Sequence, residues 1–306
     1  MGTLDATINW DTKHAYSRPG APPNGSDYVR LRDETGAYLA AGDVTNITFA
    51  GGDTLPPFPV EWKVDSSPPQ HKSEAFYSGS GPNFDRSIVR RFTVPENKPV
   101  LHFDTKWKTE KGWDFGFVQV STDGGETYKS LSNDDTTSTF DPGTIDLVKD
   151  NVPGFTGSSK GWRTERFGLK KYAGEKILLA FRYVTDSGVD LPGWWVDRIR
   201  VGNKVKSRGL SLDAWRTATE INPQEVEGFT VQLVSYTTSG PQEAHIAALD
   251  LPDGRNGSLD GAAVADAIGN QADVVAAIVT FDESTEQISQ YAPYELQVNG
   301  VIQPGG

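Results

Sequence analysis

Asp197 is the residue in this 306-residue chain whose setting most narrows its chemistry. It lies in the run Gly193-Trp194-Trp195-Val196-Asp197-Arg198-Ile199. Strand alternation puts it on one face with Trp195 and Ile199. If that face is inward, the carboxylate must be paired or bound to a metal. The pairing candidates are arginines such as Arg182 or Arg90. The metal candidate is a structural calcium ion, which takes about six to eight hard oxygen ligands and suits an Asp-rich chain.

Glu110 and Asp114 flank Trp113 and form a second constellation. As a hydrolase's acid and base they would have to straddle a sugar bond. As strand-end acids they would fix the turn before Phe115–Ser121 through backbone amides, and this is the favoured reading. Trp107, Trp113 and Trp194 offer a stacking platform for sugars, or they fill a core, the commoner fate of indoles. The serines have no His/Asp company along the chain, so a nucleophilic triad is a weak idea. The four histidines, at 14, 71, 102 and 245, stand far apart, and there is no cysteine, so zinc is not expected in this chain. No Gly-rich phosphate loop follows a strand and opens a helix.

The elements that must position these groups are short strands separated by turns. Phe115–Ser121 alternates, with Phe115 and Phe117 on one face and Val118 and Val120 on the other, and Asp123-Gly124 follows as a turn. Ile177–Val184 is apolar on both faces, as expected of a central strand covered on both sides. Residues 134–160 read as a long loop, functional, metal-pinned or simply mobile. Tyr28–Leu31 and Ala37–Ala40 flank a turn and predict a hairpin. Strands are predicted at 229–234, 244–249, 274–281 and 294–298, and Leu259–Ile268 has helical spacing.

Charge divides the chain. Residues 1–207 hold 26 basic and 27 acidic residues, whereas 208–306 hold 3 and 14. Neither part has the positive excess that phosphate binding rewards, so no nucleic-acid partner is expected. No apolar run is long enough to span a membrane. Met1-Gly2 leads into polar sequence rather than a signal peptide. If the protein is exported, this chain is expected to be an excised piece of a longer one.

The stretch Gly112-Trp113-Asp114-Phe115-Gly116-Phe117 through Gly125 resembles a known signature. Leu169–Gly174, Phe181–Asp186, Gly193–Asp197 and the upstream Gly79–Asp85 fit the same pattern. Together they resemble the MAM-like jelly-roll of the immune inhibitor A family of secreted bacterial metallopeptidases, over about residues 46–202. That family's peptidase domain carries a zinc-binding His-Glu-x-x-His helix, which this chain lacks. The resemblance therefore implies the region beyond the protease.

The expected fold is all-β: an arm and hairpin at 1–45, a jelly-roll β-sandwich at 46–203, a linker at 203–210, and a smaller Ig-like β-sandwich at 208–306. The jelly-roll resemblance implies calcium between first and last strands, with Asp53, Glu61 and Asp85 as candidate partners for Asp197. Where family members carry an acidic residue after a phenylalanine, this chain has Ala50 after Phe49. The expected function is a non-catalytic accessory region of a secreted zinc metallopeptidase, with the parent protease domain and a protein or glycan substrate as partners. The alternatives are a carbohydrate-binding or adhesion module using the three Trp, and a free-standing hydrolase using Glu110 and Asp114.

Overall fold

The computed structural model describes residues 19–241, 243–285 and 288–306, and the backbone of 6–9. The rest of the expected N-terminal arm, residues 1–5 and 10–18, lies outside the described residues. The chain is all-β and folds as two compact units, Pro57–Asn222 and a second one made of the residues up to Pro56 with Pro223–Gly306.

In the Pro57–Asn222 unit two antiparallel sheets face each other. One has the order Arg163–Gly168, Val100–Lys108, Gly193–Val201, Ala75–Tyr77, Lys63–Asp65, with Lys204–Val205 also pairing with Gly193–Val201. The other has the order Asp85–Thr93, Lys176–Val184, Phe115–Ser121, Lys129–Ser130. Alternation along each strand sends one set of side chains between the sheets: Leu101, Phe103 and Trp107 from one, Val118, Val120, Phe181 and Tyr183 from the other. Gly116 has a packing reason. A Cβ there would stand 2.8 Å from the Trp194 ring, so only glycine lets the strand approach the indole.

The outer face of the four-stranded sheet is also covered, which explains why Phe115–Ser121 is buried along its whole length. Phe115 and Phe117 stack at 5.7 Å and pack under Phe140, Leu147, Val148 and Val152. The long loop is therefore a cover rather than a mobile excursion. It then joins the sheets: Phe155 exchanges backbone hydrogen bonds with Gly116, and the Ser159 amide reaches the Trp107 carbonyl at 3.1 Å. Further along the face, Val89, Leu178 and Ala180 lie under Tyr128, Ala218 and Ile221. Ala218–Ile221 is a single turn of helix, started by a reciprocal capping box between Thr217 and Glu220.

The second unit has a five-stranded sheet (Ala6–Asn9, Ser26–Arg30, Val274–Asp282, Gly228–Tyr236, Ala244–Ala248 in spatial order) and a four-stranded sheet (Asn256–Asp260, Asn46–Gly51, Tyr294–Val298, Val301–Ile302). Its pairs are antiparallel except Ala6–Asn9 with Ser26–Arg30. Val29, Leu233 and Val279 of one sheet meet Ile47, Phe49 and Leu296 of the other in one core. The helix expected near Leu259–Ile268 spans Gly261–Ile268. Among the described residues, no helix is long and apolar enough to cross a membrane.

The domain limits differ from those drawn from charge and pattern. The turn at 33–36 forms, but Ser26–Arg30 joins Val274–Asp282, so the 1–45 segment is no separate arm and hairpin. Asn46–Gly51 pairs with Tyr294–Val298 and not with the sandwich assigned to 46–203. The 203–210 stretch is not a free linker, because Lys204–Val205 turns back onto Gly193–Val201. Beyond it Trp215 enters the core of the Pro57–Asn222 unit. Charge broke at Lys206 because surface composition changes there, while the chain continues to supply core. The asymmetry is sharper between the folded units: Pro57–Asn222 holds 24 basic and 22 acidic residues, and the other unit 5 and 19.

Phe117→Ala should remove the ring on which the 140–152 cover rests, at a cost of about 3–5 kcal/mol. Urea unfolding of the purified chain checks this. A loss below about 1 kcal/mol would mean the segment does not act as a packed cover.

Candidate functional site

The polar features of interest gather on the outer face of the six-stranded sheet, and a β-bulge places them there. Trp194 and Val196 point into the core, and so do Ile199 and Val201. Strict alternation cannot satisfy both pairs. The register shifts between Asp197 and Arg200, and Arg198 takes a left-handed conformation with φ 48°. Asp197 thus shares the outer face with Trp195, as alternation predicts, but Ile199 is turned inward away from it.

Asp197 is nonetheless buried, at 1% exposure. The segment after Lys63–Asp65 folds over it. Asp197 Oδ2 lies 2.9 Å from His71 Nε2 and accepts the Ser73 hydroxyl at 2.9 Å, and Oδ1 accepts the Arg198 amide. The His71 ring stacks on Trp162 at 3.8 Å. The Trp162 indole N–H and Lys106 Nζ both reach the Pro69 carbonyl. The partner of Asp197 is therefore chiefly a histidine and a serine. Arg182 binds Asp85 instead, and Arg90 donates to the Lys206 carbonyl. Among the described residues, the one arginine ion-paired with the carboxylate is Arg198, at 3.7 Å.

Ser73, His71 and Asp197 have the residue types of a nucleophile triad, a constellation that sequence spacing did not reveal. Their geometry is different. A relay needs hydroxyl and carboxylate on opposite ring nitrogens. Here both contacts fall on Nε2, and the hydroxyl donates directly to the carboxylate. The arrangement is a latch that closes residues 65–74 over the sheet.

Of the four expected calcium ligands, the three in the Pro57–Asn222 unit are not brought together. Glu61 holds Arg86 through two hydrogen bonds of 3.0 and 3.1 Å. Asp85 holds Arg182 through two of 2.6 and 2.7 Å. Asp53 belongs to the other unit. Among the described residues no three His, Asp or Glu side chains gather as a metal ion requires. These residues do not fit calcium, because arginine forks and the latch already occupy the carboxylates.

The aromatic platform is also corrected. Trp107 and Trp194 are directly opposite each other on neighbouring strands and both point inward, at 4% and 0% exposure. The Trp194 N–H donates to Thr105 and the Trp107 N–H to the Thr156 carbonyl. Neither offers a face to a sugar. Trp113 is half-buried, with its ring against Gly143 of the loop.

Glu110 and Asp114 serve the backbone. Asp114 accepts the amides of Glu110 and Asp186, and Glu110 accepts the amide of Val189. Burial pushes the Asp114 carboxyl up to about 6, opposed by those two amides and helped by the nearby Asp186 and Glu110.

The architecture is that of an all-β module built from paired sheets, whose buried acids are tied to its own loops. The model of the immune inhibitor A-like MAM domain matches residues 60–233. The chain belongs to that family. It is also similar to the pre-pro-metalloprotease PrtV of Vibrio cholerae, in serotype O1 strains M66-2 and ATCC 39315 / El Tor Inaba N16961. Each is 30% identical over 140 residues, which is 45% of this chain and 14% of the relative.

Two outcomes follow from this geometry. Between the ordinary aspartate value of 3.8 and about 6, folded Asp114 holds a proton that the unfolded chain has lost. Stability should therefore fall as pH rises through that window, by about 2–3 kcal/mol in all. Asp114→Asn should flatten this slope in denaturant titrations at pH 4, 5, 6 and 7, and an unchanged slope would refute the assignment. Asp197→Ala should cost about 3 kcal/mol by leaving the latch donors unpaired. It should also expose the 65–74 segment to limited proteolysis, which mass spectrometry of the fragments would locate.

Proposed function

We propose that this chain is a non-catalytic accessory region of a secreted, zinc-dependent peptidase, and that it stabilises the protease or holds protein substrates near it. The observation that carries the reading is the family match over residues 60–233 together with the PrtV likeness, which falls on 14% of that protein. The rest of a parent chain has room for the His-Glu-x-x-His helix that this sequence lacks. The structure is compatible with scaffolding rather than chemistry. Glu110 and Asp114 bind backbone amides, and the Ser73–His71–Asp197 contacts lack the order of a relay. No observation favours the carbohydrate-binding reading once Trp107 and Trp194 are in the core.

The test joins the chain to the peptidase domain encoded with it and compares the fused and truncated enzymes. The fused enzyme should keep its casein-cleaving activity several-fold longer at elevated temperature, or show a several-fold lower KM for protein than for short peptide substrates. The chain alone with zinc should cleave nothing. Chelator-sensitive cleavage by the isolated chain, or identical half-life and KM with and without it, would overturn the reading.

A further inference from the structure

Beside the latch, the same outer face carries a row of three basic side chains on three adjacent strands. Arg166 stands opposite His102, and His102 stands opposite Arg200. All three point away from the core, since their neighbours Phe167, Leu101, Ile199 and Val201 point into it. Two guanidiniums flanking one imidazole repel each other and disfavour its protonation, so such a row is costly unless something compensates it. The carboxylate next along the central strand, Asp104, does not. Its two oxygens are taken by Thr164 at 2.6 Å and Arg198 at 3.2 Å. Among the described residues, neither guanidinium of the row has an ion-pair or hydrogen-bond partner, and Arg200 Nε is enclosed without one. Four arginines of this unit do have a carboxylate, Arg86 with Glu61, Arg163 with Asp135 and Glu165, Arg182 with Asp85 and Arg198 with Asp104, and Arg90 and Arg216 have backbone carbonyls.

We propose that Arg166, His102 and Arg200 form a binding site for a tetrahedral oxyanion, a sulfate or phosphate group. The spacing fits that shape. Strands about 4.8 Å apart put the two arginine stems about 10 Å from each other, with the imidazole between. Arginine side chains are long enough to span that distance, so both forks can reach one ligand held above the ring. A tetrahedral anion has oxygens to meet a donor from each side and from below, whereas a planar carboxylate is filled by one fork. The bulge at Arg198 is what makes the row. It resets the strand so that Arg200, rather than an apolar residue, stands opposite His102. His102 lies below its ordinary value of 6.5, through burial first and then Arg200 and Arg166. Near neutral pH it is therefore an uncharged hydrogen-bond donor, and a bound anion should raise its titration midpoint. The site stands apart from the peptidase reading and does not depend on it.

The experiment follows the His102 ring by NMR in the full chain. It uses inorganic sulfate, inorganic phosphate and an O-sulfated monosaccharide, each against sodium chloride at matched ionic strength. At least one should raise the His102 midpoint and shift the Arg166 and Arg200 side-chain signals saturably. Response to the free ions alone assigns the site to small anions, and response to the sulfated sugar assigns it to the group carried on a larger ligand. Arg166→Gln, at an exposed position without partners, should weaken binding at least tenfold while the melting temperature without ligand is kept or rises. No saturable change with any of the three, or equal binding by Arg166→Gln and Arg200→Gln, would overturn the proposal.

Discussion

A strand that must bury four large side chains on one face cannot alternate without interruption when they fall at 194, 196, 199 and 201. This parity conflict organises the unit Pro57–Asn222. The bulge at Arg198 resolves it, and the rest of the outer face follows. Asp197 and Arg198 emerge side by side. The first becomes the anchor of the 65–74 segment, and the second neutralises Asp104. Arg200 is then set opposite His102. One extra residue thus couples the packing of Trp194 to the electrostatics of a surface on the far side of the sheet.

Much of this unit was legible in the sequence. Phe115–Ser121 and Ile177–Val184 read as strands, and the apolar content of both faces gave the double burial of Ile177–Val184. What covers the second face was less legible. The 134–160 loop is rich in Asp, Thr and Gly, a composition that left its role open, yet four apolar residues at 140, 147, 148 and 152 suffice to seat it on two phenylalanines. The boundaries were not legible for a different reason. Pairing of Asn46–Gly51 with Tyr294–Val298 links residues some 250 apart, and no local pattern records such a contact.

The carboxylates show the same limit. From sequence, Asp197 beside two tryptophans demanded a partner, and that demand was correct in kind. Its identity was not recoverable. His71 lies 126 positions away in a Pro-rich stretch that reads as a plain turn. Asp85 and Glu61 were attractive as oxygen donors only while their arginines were unseen. A bidentate guanidinium satisfies both oxygens of a carboxylate and removes the excess negative charge that draws a divalent ion. The indoles were misplaced for the converse reason. Trp107 and Trp194 are cross-strand neighbours, so the register that makes them adjacent also makes them share a face, and that face is the core.

Local rules that agree with one another describe most of this molecule, and the exceptions are informative because they are few. Buried acids meet amides, hydroxyls or bases. Several surface arginines meet carboxylates, and Arg90 and Arg216 meet backbone carbonyls. Large rings are stacked edge to face between the sheets or under a loop. Against that background, a row of two arginines and a histidine without a counter-charge is distinctive because it crosses three adjacent strands of one sheet. It sits in the unit that is near neutral overall, so its charge is a local feature of the sheet and not part of a broad positive field. Positioning a charged partner requires only fixed donors on a rigid sheet. The six-stranded sheet supplies that rigidity, held from one side by the aromatic core and from the other by the Asp197 latch.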